Sequence, residues 1–128
     1  KNLLNLQEIL DLQQLIHDQV RVSGKVMDYI LNICVATRPS QTYASQNRSL
    51  GIHRYIRLGA SPRATESLLA LSKAFAFYQH RDYVSFDDVA TCAVHVLRHR
   101  ILLNGIALSE QISPDILVDE ILKTISPY

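Results

Sequence analysis

An all-α fold, a small bundle of about five helices with at most one short two-stranded β-ribbon, is what three features of the sequence predict. Apolar residues recur at helical spacing in five separate stretches. Helix-starting residues precede those stretches, twice as a Ser-Pro pair at Ser61-Pro62 and Ser113-Pro114. The extended candidates are brief. Hydrophobic residues make up 48% of the 128 and charged residues 20%, the balance of a folded chain rather than a disordered one. A chain of that length supports one domain with its own core.

The first helix carries Leu3, Leu6, Ile9, Leu10, Gln13 and Ile16 on one stripe and is expected to begin at the first residue, Lys1. With no start methionine, that beginning reads as a domain cut from a longer protein. Ser23 caps a second helix with Val26, Tyr29, Ile30, Ile33, Cys34 and Thr37 inward, and Pro39 ends it because the residue before a proline is driven out of the helical region. From Pro39 to Gly51 the chain is polar and reads as a surface loop. Tyr55–Leu58 reads as a short extended piece. The third helix starts at Ser61 and runs to about Gln79, with Ala64, Leu68, Leu71, Phe75 and Tyr78 on its stripe and Leu69 and Ala76 widening it. His80-Arg81-Asp82 turns the chain. Ser85 with Asp88 resembles a capping box opening a fourth helix, which turns Val89, Ala93, Val96 and Leu97 inward. Asn104-Gly105 between apolar runs is a hairpin signal that competes with pairing of Ile101–Leu103 against Tyr55–Leu58; the second arrangement is preferred. A last helix carries Ile116, Leu117, Ile121, Leu122 and Ile125, and Pro127 stops it.

Several chemistries are excluded or disfavoured. Cys34 and Cys92 lie in apolar helical contexts without metal-ligand spacing, so they read as buried reduced thiols. His95 and His99 stand four apart on a helix, but no third ligand is near and Arg98 and Arg100 would repel a cation, so no metal site is expected. A triad assembled from Ser61, His95 and Asp87 lacks the glycines of a nucleophile elbow. Asp87 and Asp88 are more simply first-turn acids than a catalytic carboxylate pair. No GxxxxGK[ST] is present, so this chain alone cannot cradle a triphosphate and hydrolyse it. No apolar run is long enough to span a bilayer, which with the thiols reads as a cytoplasmic protein without membrane contact. A net charge of +1 argues against a general nucleic-acid binder.

The charge is unevenly placed. No acid lies between Asp28 and Glu66, an interval holding Arg38, Arg48, Arg54, Arg57, Arg63 and His53. Arg63 falls in the first turn of the third helix, against the positive end of the macrodipole. It is either a solvated arginine near a cap or, with the free N–H groups of a helix start, part of a phosphate clamp.

Gly59-Ala60-Ser61-Pro62-Arg63-Ala64 resembles the sensor-2 motif that opens a lid helix in MoxR-type AAA+ ATPases. Further stretches match in order. Leu6–Leu10 and Val26–Ile30, ending in Ala36-Thr37-Arg38, fit the family upstream; Gln79–Val89 resembles its "GRDYVTPDDV" and Val96–Ile101 its "VLRHRI". His80 stands where the family has glycine, which bears on turn geometry. The resemblance covers nearly the whole chain and implies that residues 1–128 are a C-terminal helical lid, inactive by itself, whose P-loop core is absent. It implies ATP with Mg as cofactor, bound mainly by that core, and makes Arg63 the γ-phosphate contact, with Ser61 and Ala64 beside it at the nucleotide. Its implied partners are the protein's own N-terminal core, neighbouring subunits of a hexamer and a protein client to be remodelled or assembled. Two alternatives stay open: a non-enzymatic helical module binding an acidic protein or nucleic acid through the basic interval, and the lid of a magnesium-chelatase-type ATPase.

Overall fold

Side chains that accept from backbone N–H groups set where most of the helices begin, in a computed structural model that describes residues 3–39 and 51–125. Asn5 accepts from the Glu8 N–H at 2.8 Å and opens α1 (Leu6–Gln19). Leu3 therefore precedes the helix and is 90% exposed, so the start expected at the chain's first residue moves inward to Leu6; Lys1 lies outside the described residues. Ser23 opens α2 (Gly24–Ala36), and the polar stretch from Ser40 to Leu50 lies outside the described residues. Gly51–Tyr55, read from sequence as loop running into strand, is a 3₁₀ turn, after which come β1 (Ile56–Leu58) and α3 (Pro62–Tyr78). The rest is α4 (Phe86–Leu97), β2 (Leu102–Leu103), α5 (Gly105–Ser109) and α6 (Pro114–Thr124). The fold is all-α with one small ribbon.

α2, α3, α4 and α6 enclose the core, where Ile30, Ile33, Leu68, Val89, Leu97, Leu117, Val118 and Ile121 are fully buried. α3 presents to that core the row Ala64, Leu68, Ser72 and Ala76. This differs from the expected stripe: Leu71 is 39% exposed and Tyr78 80% exposed. The reason is close approach, since small side chains four apart let α4, the main neighbour of α3, pack against it. Ser72 faces Cys92 there, and burial pushes the thiols of both Cys92 and Cys34 above their ordinary range. Both cysteines are buried and free, as read from sequence.

Two turns carry non-glycine residues in the left-handed region. His80, at φ 62°, follows the C-cap of α3; the Arg81 N–H bonds the Ala76 carbonyl at 3.0 Å and the His80 N–H bonds that of Phe77 at 2.9 Å. That is the six-to-one and five-to-two pattern of a Schellman turn, so the glycine-to-histidine departure noted in sequence costs strain without changing the turn. Gln111, at φ 58°, closes α5 in the same way through Ile112 and Ala107.

β1 and β2 run antiparallel, Ile56 opposite Leu103 and Leu58 opposite Leu102, with an irregularity around Arg57. This is the preferred pairing. The competing hairpin does not form, because Asn104 accepts from the Ala107 N–H at 3.1 Å and starts α5, while its N–H and side-chain amide bond the carbonyls of Tyr55 and Arg54. A parallel bridge between Arg21 and Tyr83 ties the α1–α2 connector to the α3–α4 connector.

Candidate functional site

The start of α3 follows from the local residues. Ser61 is extended at φ −76° and ψ 170°, Pro62 occupies the first helical position, and the Ala64 N–H donates to the Ser61 carbonyl at 2.9 Å. One expectation fails: the Ser61 hydroxyl makes no capping bond. It is exposed and uncommitted, and so is Arg63, which makes no ion pair or side-chain hydrogen bond among the described residues. Ala64 differs from both. It is fully buried with its N–H on the Ser61 carbonyl, whereas Ser61 and Arg63 are exposed.

The preceding residues are held by the end of α2. The Thr37 hydroxyl accepts from the Ala60 N–H at 2.9 Å and donates to the Cys34 carbonyl at 2.6 Å; Arg38 Nε donates to the Ala60 carbonyl at 2.9 Å. Gly59 is required by proximity, since a Cβ there would stand 2.4 Å from the Thr37 carbonyl oxygen. His53 Nε2 donates to the Ala36 carbonyl at 2.8 Å, a further strap on the same helix end. Arg38 and Arg57 line, with Pro39, Leu58 and Ser61, an open cleft of about 490 Å³ beside the helix start. These contacts join Ala36-Thr37-Arg38 to Gly59-Ala60, two blocks whose meeting sequence reasoning missed. The polar Thr37 on an otherwise apolar stripe was the available signal.

Elsewhere the titratable candidates are structural. Arg81 grips Asp88 with Nη1 to Oδ2 at 2.7 Å and Nη2 to Oδ1 at 2.5 Å, while Asp88 and Ser85 complete a reciprocal capping box. Burial pushes the Asp88 carboxyl up, but the hydrogen bonds from Arg81 and the Ser85 N–H, with the Arg81 charge, outweigh it and hold the carboxyl below its ordinary range. Asp88 is thus occupied and Asp87 exposed, which leaves no paired acid and base. His95 and His99 border a shallow surface cleft with Ser67, Leu71 and Arg100, and no group of three potential ligands is placed to hold a metal among the described residues. Nor is any helix among them long and apolar enough to cross a membrane.

With this geometry in view, the sequence matches the AAA lid domain family over residues 48–121, more than half of the chain. It is 31% identical to the chaperone MoxR1 of Mycobacterium tuberculosis over 98% of this chain and 32% of that protein. It is 32% identical to the uncharacterized protein YeaC of Bacillus subtilis over 83% of this chain and 29% of that one. A crystal structure of a candidate ATPase from Cytophaga hutchinsonii superposes with a TM-score of 0.83 at 33% identity, over 94% of this chain and 35% of that one. The chain spans about a third of the length of the relatives it matches. A helical core closed by a small ribbon, the ordered motif blocks and these likenesses agree: the chain belongs to the AAA lid domains, and its type is that of the MoxR AAA+ proteins.

Proposed function

We propose that this chain is the C-terminal lid of an AAA+ ATPase of MoxR type, closing over ATP held by a P-loop core and coupling ATP binding and hydrolysis to remodelling or assembly of a client protein complex. Arg63 carries the reading. It is an exposed cation in the first turn of a helix, at the end where the macrodipole disfavours it by about 0.3–1 kcal/mol, and no acid of the described residues compensates it. Beside it the Ser61 hydroxyl is free to donate. Two uncommitted donors at the positive end of a helix fit a phosphate, and the γ-phosphate of ATP would supply the missing negative charge. Nucleotide then binds the closed state, in which Arg63 reaches the γ-phosphate, better than the open one, and so draws the lid down. Magnesium belongs with the acidic residues of the core. In this reading the protein works in the cytoplasm as a hexamer, its lid against its own core and neighbouring subunits; the free thiols and MoxR likeness support that placement.

The test is ATP turnover by the parent ATPase with Arg63→Ala against the native protein. Removal of one charge that stabilises a transferring phosphoryl group lowers kcat by about 10²-fold, with lid stability unchanged because the side chain is exposed. Equal turnover in both proteins returns Arg63 to the role of a solvated surface residue.

A further inference from the structure

We propose that Thr37 and Arg38 are positioning residues for Arg63, a bracket through which the end of α2 aims the first turn of α3. An N-cap serine ordinarily anchors its own helix, yet the Ser61 hydroxyl makes no such bond. The anchoring has moved one residue upstream. Both backbone groups of Ala60, itself 1% exposed, are taken by consecutive residues of the α2 terminus: its N–H by Thr37 and its carbonyl by Arg38. Thr37 has no freedom to yield. Its side chain is fully buried and its hydroxyl both accepts and donates, the second bond running back into the last turn of α2. Gly59 lets the two backbones touch, which fixes the spacing as the hydrogen bonds fix the direction. Arg63 lies three residues beyond Ala60, so its place relative to the core is set by α2.

The arrangement leaves the Ser61 hydroxyl uncommitted and makes the helix start rigid, so a pull on Arg63 moves α2 and α3 together instead of fraying the first turn. This inference rests on the reading of Arg63 as the γ-phosphate contact. Misplacing a charge-stabilising group by an ångström costs up to about 10²-fold in rate, and loosening the bracket is expected to lower kcat about tenfold, as a partial misplacement.

The experiment measures kcat, KM for ATP and thermal stability in the full-length parent ATPase. Thr37→Val removes the hydroxyl at nearly constant shape, Thr37→Ser restores it, and Arg38→Ala, at a half-buried site, removes the second bond with the fold retained. Asp88→Asn serves as a control that weakens the lid away from the bracket. Thr37→Val and Arg38→Ala should each lower kcat about tenfold, Thr37→Ser should retain turnover, and Asp88→Asn should match the native rate below its unfolding temperature. Because the bracket acts through Arg63, adding Arg38→Ala to Arg63→Ala should cost nothing further. If Arg38→Ala keeps native turnover while Arg63→Ala loses it, or if the two losses multiply, the bracket is a fold element only and the proposal falls, with the nucleotide reading intact. If Arg63→Ala itself retains full turnover, the nucleotide reading falls, and this one with it.

Discussion

Asp88 shows how much one side chain can decide here. It is 1% exposed, caps α4 and receives both arms of Arg81, so Asp88→Asn should cost about 1–3 kcal/mol in a denaturant titration, from weakened charge-assisted bonds and a weakened cap. Its carboxyl sits below the ordinary range in the folded state, so the unfolded chain binds the proton first as pH falls. The stabilisation is therefore complete above the unfolded value of about 3.9 and disappears as pH drops through the lower folded value. The difference between native and Asp88→Asn proteins should be constant from neutral pH down to about 5 and shrink below about 4. His80 offers the opposite case. Held at φ 62° with a Cβ, it carries strain that glycine would not, and His80→Gly should stabilise by about 0.5–1 kcal/mol, raising the melting temperature by a few degrees. An unchanged or lower melting temperature would show that histidine makes contacts outweighing the strain.

At the scale of elements, what could be read from sequence divides by range. Helix starts at Ser23, Ser85 and Ser113 were legible because a cap is a matter of three or four neighbouring residues, and that at Ser61 because Pro62 suits the first helical position. The inward face of α3 was legible in part: Ala64, Leu68 and Ala76 lie on the expected face and are buried, but Ser72 was missed and Leu71 and Tyr78 are exposed. Leu71 and Ser72 are adjacent, and choosing between them requires knowing that α4 approaches closely enough to favour small residues. Asn104-Gly105 was ambiguous for a related reason, since asparagine caps a helix as well as it starts a hairpin, and bonds to Tyr55 and Arg54, some fifty residues away in sequence, favoured the cap. In the candidate site, Arg63 was visible in the charge pattern, whereas the Thr37–Ala60 contact spans the polar stretch, and a lone polar residue on the α2 stripe does not say which residue it meets. The corrected face of α3 makes a direct prediction. Leu68→Ala should destabilise by about 2–5 kcal/mol and Leu71→Ala by less than about 1, measured by urea unfolding. Equal costs would restore the stripe expected from periodicity.

Across the whole molecule, stability is uneven. α1 contributes no fully buried residue to the core and rests chiefly on α3, whereas α2, α4 and α6 each bury several. Amide hydrogen exchange should therefore release α1 first and the central parts of α2, α3 and α4 last, following buried apolar contact. Exchange of α1 as slow as that of α2 would mean that its apolar face is covered in solution. Thr37, Arg38 and Gly59 join the Arg63 end of α3 to α2, so that end should exchange with the slow elements and behave as a rigid one. The central claim is that this rigid end distinguishes the third phosphate. The measurement that tests it most directly is the affinity of the full-length parent ATPase for ATP and for ADP, in the native protein and in Arg63→Ala. The account predicts that the native preference for ATP collapses in the variant while ADP affinity is retained. An unchanged ratio of the two affinities would contradict it.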